Sequence, residues 1–171
     1  DIGCGNGRDS NFFAMNKLDV VGFDQSEEGV RVASDHAASI SSNAKFICDD
    51  IKNLNNLKDQ NFSVVYSRFF IHSINELEQE KLFNDVYSLL NKGDKFMIEV
   101  RTDEDEMCGK GEKVGKNEYV TDHYRRFNNS KYLLKFILNT DFKLEYFIEK
   151  NGLAIFGDED PVVARIVLEK Q

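Results

Sequence analysis

The stretch Asp1-Ile2-Gly3-Cys4-Gly5-Asn6-Gly7, with Gly22-Phe23-Asp24 downstream of it, decides how the rest of the chain is read. Glycines on alternate positions let a backbone turn tightly between a strand and a helix, and let a ligand lie against the main chain. Val20 to Phe23 reads as a strand ending at Asp24. Ser26 reads as the cap of a helix in which Val30, Ala33, Ala37 and Ile40 recur at helical spacing. Phe46 to Cys48, ending at Asp49-Asp50, is a third short strand, Phe62 to Ser67 a fourth, and Lys95 to Val100 a fifth. Between the last two, Asn75 and Glu78 stand at capping-box spacing. Leu82, Val86, Leu89 and Leu90 line one face of the helix that follows, which Asn91-Lys92-Gly93-Asp94 ends. This alternation predicts an α/β fold with a parallel sheet covered on both faces.

After Arg101 the pattern changes. Thr102 to about Asp122 is polar and carries Gly109, Gly111 and Gly115; it reads either as a mobile segment able to close over a ligand or as a solvated loop. A helix carries Leu133, Phe136 and Ile137. Phe142, Leu144, Tyr146 and Ile148 alternate as in a strand, and Pro161 precedes a last strand, Val162 to Leu168. These two closing strands predict a hairpin with the last strand antiparallel.

The chain has 171 residues, 41% of them hydrophobic, enough for one domain with its own core. No apolar run is long enough for membrane insertion. With 22 basic against 30 acidic residues the net charge is −8, which argues against nucleic acid and anionic membranes as partners while allowing one small basic pocket. Cys4, Cys48 and Cys108 are widely spaced with no C-x-x-C pair. They predict neither a disulfide framework nor a metal site, but reduced thiols in a cytoplasmic protein.

The flanking charges narrow the ligand of the glycine turn. A dinucleotide fingerprint would need its third glycine at position 8, which is Arg8. A pyrophosphate sits poorly beside Asp1 and Asp9, whereas a cation is attracted there. Asp24 can accept both hydroxyls of a ribose, and Asp49 or Asp50 the exocyclic amine of adenine. The plainer readings are a simple turn, a helix cap at Asp24 and a surface pair between Arg8 and Asp9. Taken together, the residues describe an adenosine bearing a positive group and no phosphates, and S-adenosylmethionine (SAM) fits.

Asp1 to Gly7, Gly22-Phe23-Asp24-Gln25-Ser26, Cys48-Asp49-Asp50-Ile51, Ser67 to His72 and Leu90 to Gly93 together resemble the class I SAM-dependent methyltransferases, over roughly the first 100 residues. The resemblance implies a Rossmann-like, doubly wound seven-stranded sheet of order 3-2-1-4-5-7-6 with the last strand reversed. It implies a cofactor half at 1–101 and an acceptor half at 102–171. It sets Asp1 at the amino group of SAM, Gly3 and Gly5 under its methionine part and Asp24 at the ribose, with Gln25 also among the cofactor-binding residues. Asp50 and Ile51 fall at adenine and Ser67 near the sulfonium. S-adenosylhomocysteine would be the product. The family's first strand has more apolar residues before the acidic position than this chain carries. Further upstream residues, including a helix over SAM, are therefore expected.

On the acceptor side, an alcohol needs a base, whereas a carboxylate or phosphate oxygen does not. His72, after the fourth strand, is the first candidate and His123 the second; His36 reads as surface. Arg68, Arg101, Arg125 and Arg126, with Tyr124, predict a site for a small anionic acceptor, the alternative being pairing with nearby carboxylates. The stretches His123 to Phe127, Glu149 to Ala154 and Glu159 to Arg165 resemble small bacterial methyltransferases of surface-polysaccharide or phosphoglycan synthesis. That points to O-methylation of a sugar, nucleotide-sugar or sugar phosphate by a monomer or homodimer. The other readings are N- or S-methylation of a small metabolite in detoxification, a non-catalytic SAM-binding subunit, and an NAD-binding oxidoreductase, which Arg8 and Asp1 disfavour.

Overall fold

In a computed structural model, residues 1–171 are described throughout. The first half alternates helix and strand as the sequence predicts: α1 (Arg8–Met15), β1 (Val21–Asp24), α2 (Glu27–Ser39), β2 (Lys45–Cys48), β3 (Phe62–Arg68), α3 (Glu76–Leu89) and β4 (Leu90–Arg101). The caps are those the sequence supplies. Ser26 Oγ accepts from the Gly29 amide at 3.0 Å, and Asn75 and Glu78 close a reciprocal capping box on α3.

The strands pair in two groups. β1 lies parallel to β2, and a four-stranded sheet runs β3-β4-β9-β8, where β8 is Phe142–Lys150 and β9 is Val163–Lys170. β3 and β4 are parallel; β9 is antiparallel to β4 and to β8, as the closing hairpin requires. One continuous seven-stranded ladder is not formed. Residues 1–3 stand between the groups instead. The Phe23 amide donates to Asp1 O at 2.9 Å and the Gly3 amide to Phe23 O at 2.8 Å, while the Ile2 amide donates to Tyr66 O at 2.8 Å. The segment is too short to be more than a bridge.

Three further expectations need correction. Leu90 belongs to β4, where it pairs with Phe62; Asn91 to Asp94 form a bulge inside that strand, tied by the Asn91 amide to Asp94 Oδ2 at 2.7 Å. The alternation in β8 is broken between Leu144 and Tyr146, so Tyr146 turns outward and Phe147 packs on the core in its place. The polar stretch after Arg101 is not one long loop. It contains β5 (Glu112–Gly115) and β6 (Glu118–Val120), which with β7 (Tyr124–Arg126) form an antiparallel three-stranded sheet ahead of α4 (Ser130–Ile137). Polar side chains on both faces hide its period.

The main core lies between the four-stranded sheet and α3 and α4. Phe83 is at its centre, with ring centroids of Phe96 at 5.3 Å, Phe136 at 4.9 Å and Phe142 at 6.2 Å, all edge-on. Phe83→Ala removes the shared member of all three pairs, and urea unfolding is expected to show a loss of about 3–5 kcal/mol. A loss below about 1 kcal/mol would place the core elsewhere.

Candidate active site

The glycine turn is built around Asp24. The Gly5 amide donates to Asp24 Oδ2 and the Ser26 amide to Asp24 Oδ1, each at 2.8 Å, so one carboxylate at the end of β1 holds both the turn and the start of α2. Gly3 has φ +72°, and a Cβ there would come within 2.5 Å of the Phe70 ring. Gly5, at φ +51°, has nothing within 4 Å of an added Cβ, so its outer side opens to a ligand.

Two clefts meet at Gly3 and Phe69. The larger, about 330 Å³, is lined by Asp24, Gln25, Asp49, Asp50 and Ile51 with Phe70 and Ile74. The smaller, about 230 Å³, is lined by Asp1, Cys4, Asn6, Arg8, Asp9, Arg68 and Phe156. The structure thus brings Asp1, Gly3, Asp24, Gln25, Asp50 and Ile51 to one continuous groove, with Gly5 tied into it through Asp24. Several of these groups already have partners. Asp1 Oδ2 accepts from Ser10 Oγ at 2.5 Å, and Asp50 caps the turn at Ile51–Leu57 through the Lys52 amide at 2.8 Å. Ser67 is fully buried, its hydroxyl without a partner, and it lines neither cleft.

The arginines are divided. Arg68 lies between Glu99 (Nε to Oε1, 2.6 Å) and Asp9 (3.2 Å), and buried Glu99 also accepts from Arg165 at 2.5 Å. Arg101 pairs with buried Asp105 at 3.2 Å and with Glu159 at 2.6 Å. Both guanidinium groups lie over the Phe69 ring, at 4.8 and 5.6 Å. The expected surface pair of Arg8 with Asp9 is present at 3.0 Å. Arg125 pairs with exposed Asp122 at 2.8 Å, and His123 Nδ1 lies 2.9 Å from the same carboxyl group. Arg126, next along β7, is buried and lines neither cleft. Tyr124, on the same side of the strand as Arg126, has a buried hydroxyl without a partner, and burial with nearby Glu118 pushes it up to about 12. The sequence reading missed Phe156. It is 73% exposed on the long connection between β8 and β9, and no local pattern marks it.

The methyltransferase-domain family matches residues 1–93, more than half the chain. The chain belongs to that family. It is a methyltransferase, and its methyl donor is S-adenosylmethionine. Comparison with curated proteins finds no match. Among solved structures, a SAM-dependent methyltransferase of Methanosarcina mazei is similar at 21% identity and TM-score 0.81, over 99% of this chain and 90% of that one. A Pyrococcus horikoshii protein is similar at 21% identity and TM-score 0.79, over 100% and 80%. The magnesium protoporphyrin IX methyltransferase of Synechocystis, solved with bound SAM, is similar at 14% identity and TM-score 0.69, over 100% and 68%. These likenesses establish the shared fold.

In this methyltransferase His72 sits beside Phe69, with ring centroids 5.9 Å apart. It is 5% exposed, and its Nδ1 has no partner. Burial first, then the positive charges of Arg101, Arg125 and His123, lowers it from 6.5 to about 3. The ring is therefore neutral at ordinary pH. Its folded value lies below the unfolded one, so the unfolded chain takes up the proton first as pH falls. The stability tied to neutral His72 is complete above about pH 6.5 and declines toward pH 3, at up to about 1.4 kcal/mol per pH unit. His72→Gln should flatten the fall in urea-unfolding free energy between pH 6.5 and 4.5 relative to wild type. Parallel curves would show that His72 does not titrate in this way.

Proposed function

We propose that the enzyme transfers a methyl group from SAM to an oxygen of a small anionic acceptor, with a sugar or sugar phosphate as the leading class. The observation that carries the reading is the pair of clefts joined at Gly3 and Phe69. The one with Asp24, Asp49 and Asp50 suits a nucleoside and the one with Asp1, Asp9 and Arg68 an amino acid, and the arginines at the junction are already paired with Asp9, Glu99, Asp105 and Glu159 rather than open to a pyrophosphate.

In this reading Asp24 and Gln25 hold the ribose, and Asp50 with Ile51 the adenine. Asp1 takes the amino group while Gly3 and Gly5 pass beneath the methionine chain. Ser67 supports the floor without touching the cofactor. The bound cofactor supplies a methyl on a cationic sulfur: the acceptor oxygen forms the C–O bond, the C–S bond breaks, and S-adenosylhomocysteine leaves with the sulfur electron pair. Ile2, as the link between the two sheets, would hold the central place in the seven-stranded order, and both halves would work as one domain.

The acceptor's charge follows from which carboxylates are replaceable. Glu99 and Asp105 are buried and stay with their arginines, whereas Glu159 and Asp122 are exposed. An anionic acceptor can take their places on Arg101 and Arg125, with Arg68 beside it, whereas Tyr124 is on the opposite face of β7 from Arg125. A hydroxyl acceptor gives its proton to His123; neutral, enclosed His72 supports Phe69. Polysaccharide or phosphoglycan synthesis is the setting that suits such a substrate.

Calorimetry with S-adenosylhomocysteine should show Asp24→Ala weakening binding by about 1–3 kcal/mol, with Asp24→Asn in between. Unchanged affinity in both would remove Asp24 from the cofactor site. In steady-state assays with sugar phosphates, Arg125→Ala is expected to raise the acceptor KM about tenfold at constant affinity for S-adenosylhomocysteine. His123→Ala should lower kcat about a hundredfold. The same kcat in His123→Ala would point instead to an acceptor oxygen already ionised.

A further inference from the structure

A third hollow, of about 360 Å³, lies apart from both cofactor clefts, between the start of α3, α4 and the three-stranded sheet. Arg126 stands in its wall. The residue is 7% exposed, its Nε donates to Ile74 O at 3.0 Å and its Nη2 to Gln79 Oε1 at 2.5 Å. Both partners are neutral. The nearest carboxylate is Glu76, 4.0 Å from Nη1 and itself 87% exposed, so Nη1 has no hydrogen bond from it. A buried cation whose hydrogen-bond partners are neutral and whose paired carboxylate is distant and exposed is costly, and burial lowers the Arg126 pKa. Lys116 brings a second cation to the same hollow, its Nζ 4.7 Å from the centre of the Tyr132 ring. Asn117, Gln79 and Glu80 supply planar amide and carboxylate groups, and Tyr132 and Phe136 an aromatic wall. Cations alone would describe a bare anion site. Planar hydrogen-bonding groups beside aromatic faces suit a ring bearing several hydroxyls.

We infer that this hollow is a binding site for an acidic sugar unit, separate from the site of methyl transfer, with the anionic group on Arg126 Nη1 and Lys116 and the ring against Tyr132 and Phe136. The anionic group is a carboxylate or a phosphate.

The site is tested by amide NMR titration of the enzyme saturated with S-adenosylhomocysteine, using glucuronate, glucose 6-phosphate, glucose and inorganic phosphate. One or both acidic sugars should move the amides of residues 116–117 and 126–133 and bind at least tenfold more tightly than glucose or phosphate. The stronger of the two tells carboxylate from phosphate. Arg126→Gln should abolish the shifts. Because that variant removes a buried group, Lys116→Glu and Tyr132→Ala, both at exposed positions, are measured beside it. Each should weaken the sugar at least tenfold and leave S-adenosylhomocysteine binding unchanged. No shift at these amides at millimolar sugar, equal binding of phosphate alone, or full affinity in both surface variants would overturn the inference. Shifts confined to residues 68–72 and 123–125 and lost in Arg125→Ala would also overturn it, while supporting the acceptor site described above. Failure of S-adenosylhomocysteine to bind would overturn the cofactor reading alone, since the same titration can be run without it.

Discussion

Two amides of the first three residues carry the geometry of the candidate active site. The Ile2 amide reaches β3 and the Gly3 amide reaches β1, so a segment with almost no length of its own ties the β1–β2 pair to the four-stranded sheet. Ile2 is buried in the same core cluster as Phe23 and Val65, which protects those bonds from water. From that anchor the chain turns through Gly3 and Gly5, and the Gly5 amide returns to Asp24. A side chain at Gly3 would strike Phe70, and one at Gly7 would strike Ala33 where α1 packs on α2. The turn and its packing therefore constrain each other.

Around this anchor the charges fall into two kinds of pair. Glu99, shared by Arg68 and Arg165, and Asp105, shared by Arg101 and the amides of Met107 and Val162, are buried and multiply bonded. Removing either would strand a cation in a dry place. Glu159, Asp122 and Glu76 are exposed, and each contributes little to its pair in water. A protein of net charge −8 thus keeps a few arginines whose outer partners lie exposed to water.

Phe69 joins the two sides. Its backbone takes φ +54°, a left-handed conformation that costs a bulky residue about 1–3 kcal/mol. The Phe69 amide donates to Glu99 O at 2.9 Å, and guanidinium groups from β3 and β4 lie over its ring, which helps hold it there. The ring lines both clefts. Neutral His72 at its side adds no further positive charge.

The sequence by itself determined the alternation of helix and strand through β4, the caps at Ser26 and Asn75, and the glycine turn beside Asp24. These are local matters: spacing of apolar residues, one hydrogen bond across three positions, glycine where φ is positive. The tertiary structure alone decided the rest. The β5–β7 sheet was hidden because its polar faces carry no period, and the bulge in β8 because the strand's partner sets its register. His72 stands in a promising place in the sequence, yet its environment comes from Arg101, Arg125 and His123, which are distant along the chain. Arg125 and Arg126 are neighbours in sequence, but a strand sends successive side chains to opposite faces, so one pairs with a surface carboxylate and the other lines a separate hollow. Which charge meets which is a property of packing, and no stretch of sequence carries it.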